Sequence, residues 1–329
     1  MTPRVLAAGI GFTEGPLLTS DGRLLVVAMT RGLVVEIDLD GGVVGTTEVG
    51  GGPNGLAEGP DGTVWVAQNG GSLRSSRSAR SARAGLQQVV GDDVRDVCVP
   101  GARAPNDLAV GPDGRIWFTD PGLPGDTGRL CALDPTDHVT TTVLDDLTFP
   151  NGLAFGPGGD VLHLADTDHG TVTRHRWVDD RLVADGRSAD LPAGGPDGLA
   201  LDADGRLYVA APAADAVFVF APDGRPDGVI DFPEPTFPTN LCFAGPALDL
   251  LVVTAAKGGR VLVVDRGIRT PGLAPAAGAR TATRQDRQVL GARERSPGMS
   301  LGATTCTDTH GEPGLRDVPD GRAVASRRS

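Results

Sequence analysis

The sequence has no run of about 18 apolar residues, so a membrane-spanning helix is not expected. Its amino terminus, MTPRVLAAGIGF, carries one Arg and a very short apolar stretch that Glu14 soon interrupts, so no secretory signal is expected there. Cysteines are few: Cys98, Cys131, Cys242 and Cys306 lie far apart with no CxxC pair. Disulfide staples and thiolate zinc sites are therefore not expected, and a reducing cytoplasm is the default location. No GxSxG elbow occurs, which removes the motif of an α/β-hydrolase serine mechanism, and no HExxH or close histidine pair occurs. Aromatic residues make up only 4 % of the chain, whereas Gly (48) and Pro (26) are abundant, a mix that suits many short strands joined by tight turns.

Basic charge is also scarce. The formal net charge is -12, and the last 57 residues run against it with nine Arg to six Asp and Glu, which leaves residues 1–272 near −15. An acidic body lacks the basic face that phosphate backbones require, so nucleic acid is not an expected partner.

What the sequence does contain is a repeated phrase. It reads PNGLAEGPDGTVWVA from Pro53, APNDLAVGPDGRIWFTD from Ala104, FPNGLAFGPGGDVLHLAD from Phe149 and GPDGLALDADGRLYVAA from Gly195. Weaker copies start at Thr13 and Phe237. One equivalent position per copy gives Glu14, Asn54, Asn106, Asn151, Asp197 and Thr239, spaced by 40, 52, 45, 46 and 42 residues. Within a copy, an apolar stretch leads through Asp-Gly into a β-rich stretch, which is a hairpin signal. A period in the 40s built this way predicts propeller blades, each a four-stranded antiparallel sheet. The expected fold is all-β, a six-bladed β-propeller over residues 1–272 whose last blade borrows the segment 4–9 as its missing outer strand. Residues 273–329 have no aromatics and few large aliphatics, and they read as a disordered tail.

Leu25, Trp65, Trp117 and Tyr208 fall eleven residues after their anchors, and large apolar residues there predict packing between neighbouring blades. The six anchors enter the innermost strands, so ring closure gathers them around one mouth of the axial channel. All six carry oxygen donors, and carboxylates crowded together are costly unless something compensates. A hard divalent cation is the natural compensation. For Asn54 and Thr239 a turn-capping role suffices. His138, His163, His169 and His175 are expected in strand or solvent roles, and Asp120 and Asp166 either support the mouth or cap strand ends. The longest spacing contains GGSLRSSRSARSARAG (residues 70–85), which joins two strands on the rim of the mouth. Its Arg74, Arg77, Arg80 and Arg83 suggest a lid or an anion contact, and its Ser content suggests a solvated loop.

Glu14-Gly15-Pro16, Pro105-Asn106-Asp107-Leu108, Phe118-Thr119-Asp120-Pro121, Pro150-Asn151-Gly152-Leu153 and Pro196-Asp197-Gly198-Leu199 together resemble the family named for senescence marker protein, gluconolactonase and luciferin-regenerating enzyme. The resemblance implies one divalent metal in the channel, Ca²⁺ first with Zn²⁺ or Mn²⁺ as alternatives, and hydrolysis of a lactone, often a sugar lactone. It implies Glu14, Asn151 and Asp197 as metal ligands and Asn106 as a residue that contacts substrate. Some sugar-lactone members carry an Arg where this chain has Ala104, with Arg103 beside it as the candidate substrate contact. Asp197 is the candidate general base and Asn106 the residue that orients the lactone or the water. The competing expectations are a non-catalytic propeller serving as a protein- or ligand-binding platform, which does not require converging carboxylates, and a strictosidine-synthase-like enzyme.

Overall fold

The computed structural model describes residues 3–179 and 181–265. Their strands form six four-stranded antiparallel sheets, each with its strands in sequence order from inside to outside except the last. The innermost strands are Thr13–Leu18, Pro53–Glu58, Leu108–Val110, Pro150–Phe155, Leu199–Leu201 and Pro238–Ala244. Each touches the innermost strand of the blade before and after it, and the sixth touches the first, so the sheets close into a six-bladed propeller. In the sixth blade Arg4–Ala7 is the outermost strand and pairs antiparallel with Arg260–Asp265, Arg4 opposite Val263. The expected boundary at residue 272 and the tail 273–329 lie outside the described residues.

The second strands explain why the blades stack. Leu24–Ala28 (LLVVA), Val64–Gln68 (VWVAQ), Ile116–Asp120 (IWFTD) and Leu207–Ala211 (LYVAA) are buried at every position. A strand alternates its side chains between two faces, and here both faces meet a neighbouring blade. Val26 and Ala28 join the core shared with blade 6, while Leu25 and Val27 join the core shared with blade 2. Trp65 packs with Leu108, Ile116 and Phe118 of blade 3, Trp117 with Leu153 and Leu162 of blade 4, and Tyr208 with Leu241 and Phe243 of blade 6. The four positions read from sequence as inter-blade packing are therefore that packing. Trp117 also meets Trp177 edge-to-face at 5.4 Å and Phe155 at 5.5 Å, arrangements that add to the area buried.

The first and second strands are joined by tight turns at Asp21-Gly22, Asp61-Gly62, Asp113-Gly114 and Asp204-Gly205, whose glycines have φ of +90°, +81°, +77° and +79°. Only glycine takes that conformation without strain. Among the described residues helix is confined to two single 3-10 turns, Met29–Arg31 and Pro212–Ala214. Among the described residues no helix is long and apolar enough to cross a membrane. Cys131 and Cys242 are free thiols. Cys98 is disulfide-bonded, which corrects the expectation drawn from cysteine spacing that no cysteine is paired.

Candidate metal and substrate site at the channel mouth

The anchors meet because backbone hydrogen bonds tie three pairs of neighbouring blades together at the throat. Gly55 N–H donates to Asn106 O (2.7 Å), Gly152 N–H to Asp197 O (3.1 Å), and Gly198 N–H to Thr239 O (2.8 Å). In these three pairs the glycine after an anchor donates to the anchor carbonyl of the following blade. That closeness demands glycine: a Cβ on Gly152 would sit 2.2 Å from Asp197 O. Thr239 closes the ring through its hydroxyl, which donates to Thr13 O at 2.8 Å. Its role is structural, as is that of Thr119, whose hydroxyl donates to Asn151 O at 2.8 Å.

Above this ladder the side chains form a relay of amides. Asn54 Nδ2 donates to Asn106 Oδ1, Asn106 Nδ2 to Asn151 Oδ1 (3.1 Å), and Asn151 Nδ2 to Thr167 Oγ1 (3.1 Å), while Thr167 Oγ1 donates to Pro196 O (2.7 Å). Asn151 also hydrogen-bonds the Asp197 carboxylate. Asn54, read from sequence as a turn former, is part of the relay and fixes the orientation of the Asn106 amide. Glu14, Asn54, Asn106 and Asn151 are buried, and Asp197 keeps partial exposure at the mouth.

The electrostatics are those of crowded acids. Burial raises the Glu14 pKa well above the ordinary glutamate value, and the charges of Asp197 and Asp107 raise it further. The Gly15 N–H, 3.1 Å from Glu14 Oε2, and the Asn240 amide work against that rise. Asp197 is likewise raised well above normal, by burial and then by Asp107. Asp107 itself is pushed up to about 6 by burial, offset in part by the Leu108 N–H and by Asn240.

Asp107 and Asn240 were not singled out from sequence. They occupy the position after the anchor, where the other four copies have Gly15, Gly55, Gly152 and Gly198. The departure from glycine in only two of six copies was the available signal. Asn240 Oδ1 accepts the Leu241 N–H at 2.8 Å, which directs the Nδ2 group toward the two carboxylates, Glu14 and Asp107.

Among the described residues no group of three or more His, Cys, Asp or Glu side chains is disposed as a ligand set. Any cation here depends on amide oxygens as well as carboxylates. The donor chemistry of Glu14, Asn151 and Asp197 is compatible with a hard cation, since all are oxygen donors and a carbonyl oxygen can accept a hydrogen bond and still ligate through its second lone pair.

The remaining candidates have hydrogen-bond, ion-pair or ring partners of their own. Asp120 accepts the Ala104 N–H (2.8 Å) and the Arg103 N–H (3.2 Å) and pairs with Arg129 (3.0 Å), so it fixes the segment leading to Asn106. Arg103 forms an ion pair with Asp126 on the rim. Asp166 caps its strand end through His169 Nδ1 at 2.7 Å. His163 Nδ1 lies 2.6 Å from Ser188 Oγ, His175 Nε2 lies 3.1 Å from Thr173 Oγ1, and His138 packs edge-to-face on Trp65.

The Arg- and Ser-rich insert is seated on the rim. Arg77 N–H donates to Thr30 O (2.9 Å), Ser78 Oγ to Glu48 Oε1 (2.7 Å), and Gly51 N–H to Arg80 O (3.2 Å). Gly50 admits it, since a Cβ there would fall 2.6 Å from Arg80 O. Beneath it, the buried Gln68 accepts the N–H groups of Gly52 (2.6 Å) and Gly70 (2.9 Å) and donates to Gly50 O (3.1 Å).

Comparison with known proteins agrees with this architecture. The sequence profile of the SMP-30/Gluconolactonase/LRE-like region matches residues 12–257. The gluconolactonase of Zymomonas mobilis is 27 % identical over 294 residues, 77 % of this chain and 78 % of that protein. The pentonolactonase XacC of Haloferax volcanii is 33 % identical over 160 residues, 46 % of this chain and about half (53 %) of that protein. A gluconolactonase structure from Xanthomonas campestris superposes with a TM-score of 0.65 at 24 % identity, covering 80 % of this chain and 94 % of that one. The calcium-binding protein regucalcin from Agrobacterium tumefaciens superposes with a TM-score of 0.64 at 21 % identity, covering 82 % and 95 %. The chain belongs to the SMP-30/gluconolactonase/LRE-like family.

Proposed function

We propose that the protein is a lactonase of the carboxylic-ester hydrolase class that opens a small sugar lactone or related lactone at the channel mouth, using one divalent cation held by Glu14, Asn151 and Asp197. The observation that carries this reading is the meeting of Glu14 and Asp197, from blades 1 and 5, whose charges oppose each other in a buried mouth lined by the Asn106 and Asn151 amides. Ca²⁺ is the first choice and Zn²⁺ or Mn²⁺ the alternatives, because the donors are carboxylate and amide oxygens. When bound, the cation polarises the lactone carbonyl and makes water a better nucleophile.

The side chains account for the rest. Asp197 is a carboxylate with partial exposure at the mouth, which suits it to take the proton from the attacking water. Asn106 has its carbonyl occupied by Asn54, so its NH₂ group faces Asn151 and keeps a second N–H to orient the ring oxygen or carbonyl of the substrate. Glu14 is held by the Gly15 N–H and Asn240. A binding platform would present its contact residues to solvent, whereas Glu14, Asn106 and Asn151 are buried.

The test is a panel of aldono- and acyl-lactones assayed after chelation and single-metal add-back, with Glu14→Gln and Asp197→Asn beside the wild type. Hydrolysis should vanish on chelation, return with one cation, and be absent in both variants while circular dichroism keeps the β signature. Near wild-type turnover by either variant without metal overturns the scheme.

A further inference from the structure

Arg74 reaches out of the blade 2 insert and lays its guanidinium over the ring of Phe12, 4.0 Å from the centroid. Phe12 stands two residues before Glu14, at the entry to blade 1, and its ring meets Phe237 of blade 6 edge-to-face at 6.4 Å. Three consecutive blades therefore contribute to one cluster at the rim, on the Glu14 side of the mouth. Phe12 directly precedes the strand Thr13–Leu18 that carries Glu14, so the cluster adjoins the entry of that strand.

Two features mark this cluster as more than surface packing. Phe237 is 38 % exposed and has φ +53°, a conformation that a bulky aromatic residue adopts only under constraint. Asp215 Oδ1 imposes it by accepting the N–H groups of both Phe237 (2.6 Å) and Thr236 (2.8 Å). The second feature is charge. Arg74, Arg77 and Arg83 are exposed and have no carboxylate partner among the described residues, whereas Arg103, Arg129 and Arg260 are paired with Asp126, Asp120 and Glu234. The insert that carries them is pinned through Thr30, Glu48 and Gly51, so Arg74 is held in place. A guanidinium stacked on a ring uses its face and leaves its N–H edge free to fork onto a carboxylate.

We propose that Arg74, with Phe12 and Phe237 as its platform, is a specificity-determining residue that binds the carboxylate of an acid-bearing lactone whose ring lies against Phe237 and whose ester carbonyl reaches the anchors. The acidic mouth repels anions, so an unpaired guanidinium at its rim selects for a substrate that carries the complementary charge. The word lactone rests on the proposed function above, whereas the carboxylate subsite does not.

The test compares two lactones of one sugar size, neutral D-glucono-δ-lactone and acid-bearing D-glucaro-1,4-lactone, with the wild type, Arg74→Gln and Arg74→Lys. Arg74→Gln should raise KM for the acid-bearing lactone at least five times more than KM for the neutral one, with kcat little altered. Arg74→Lys should recover part of the loss, because it restores charge without the fork. Calorimetric titration with D-glucarate, the ring-opened dianion, reads the subsite without turnover, and its affinity should fall about tenfold in Arg74→Gln and weaken with added salt. If glucarate binding depends on Arg74 while neither lactone is hydrolysed, the subsite stands and the lactonase reading fails. Equal effects on both lactones, or glucarate binding indifferent to Arg74, overturns the subsite.

Discussion

Asp107 of blade 3 and Asn240 of blade 6 stand opposite one another in a ring of six, and the Asn240 amide hydrogen-bonds the buried Asp107 carboxylate. The same amide hydrogen-bonds Glu14, so one side chain on the sixth blade restrains two of the three acids at the mouth. Asp107 carries a cost for this position. Its folded pKa of about 6 lies above the ordinary aspartate value, so the cation-free protein holds its proton more tightly than the unfolded chain does. Stability is therefore lost as pH rises from about 4 through about 6 and stays lost above it. Asp107→Asn should make the chelated protein more stable at pH 7.5 by about 1–3 kcal/mol, and the gain should be small at pH 4. Urea denaturation at the two pH values measures it, and a gain of equal size at both would contradict the assignment.

Glu14 and Asp197 shift in the same direction, so protons compete with any cation that these acids bind. Adding Ca²⁺ to chelated protein should raise Tm by several degrees at pH 8 and by much less at pH 5. A pH-independent rise would mean that the cation binds elsewhere.

The fold was legible because one phrase recurs six times, four of them with an Asp-Gly hairpin, and one register error would have been visible against the other five. The same register brought Glu14, Asn106, Asn151 and Asp197 to one ring. Asp107 stayed hidden because Asn-Asp-Leu reads as an ordinary strand entry, and only the glycines at its equivalents in four other blades make it an exception. The insert was ambiguous for a different reason: its composition is that of a loop, and the partners that seat it, Thr30, Glu48 and Gly50, lie 20 or more residues away in sequence. Composition reports local preference, while seating depends on distant contacts. Arg103 was chosen for its place beside Ala104, and its pairing with Asp126 depends on a loop whose path the repeat does not specify.

Gly152→Ala tests how tightly the ring sets the site. The new methyl would press on Asp197 O, and the two blades would have to part by an ångström or so. A shift of that size at a reacting centre costs on the order of 100-fold in rate. kcat/KM should fall by that order while circular dichroism stays that of a propeller. Wild-type activity would show that the throat is softer than the ladder implies.

His163 offers a pH test remote from the mouth. Burial first, and then the charge of Arg174, push its pKa down to about 4. The unfolded chain takes up this proton first, so stability falls as pH drops from about 6.5 toward 4. The full loss is at most about 3 kcal/mol, reduced by the residual exposure of the ring. His175, also lowered by burial, adds to the same slope. His163→Gln should flatten the decline in urea midpoint between pH 7 and pH 4.5, because glutamine can keep a hydrogen bond to Ser188 without titrating. The double variant with His175→Gln should flatten it further. An unchanged slope in the double variant would shift the acid sensitivity of this propeller from its histidines to its carboxylate pairs.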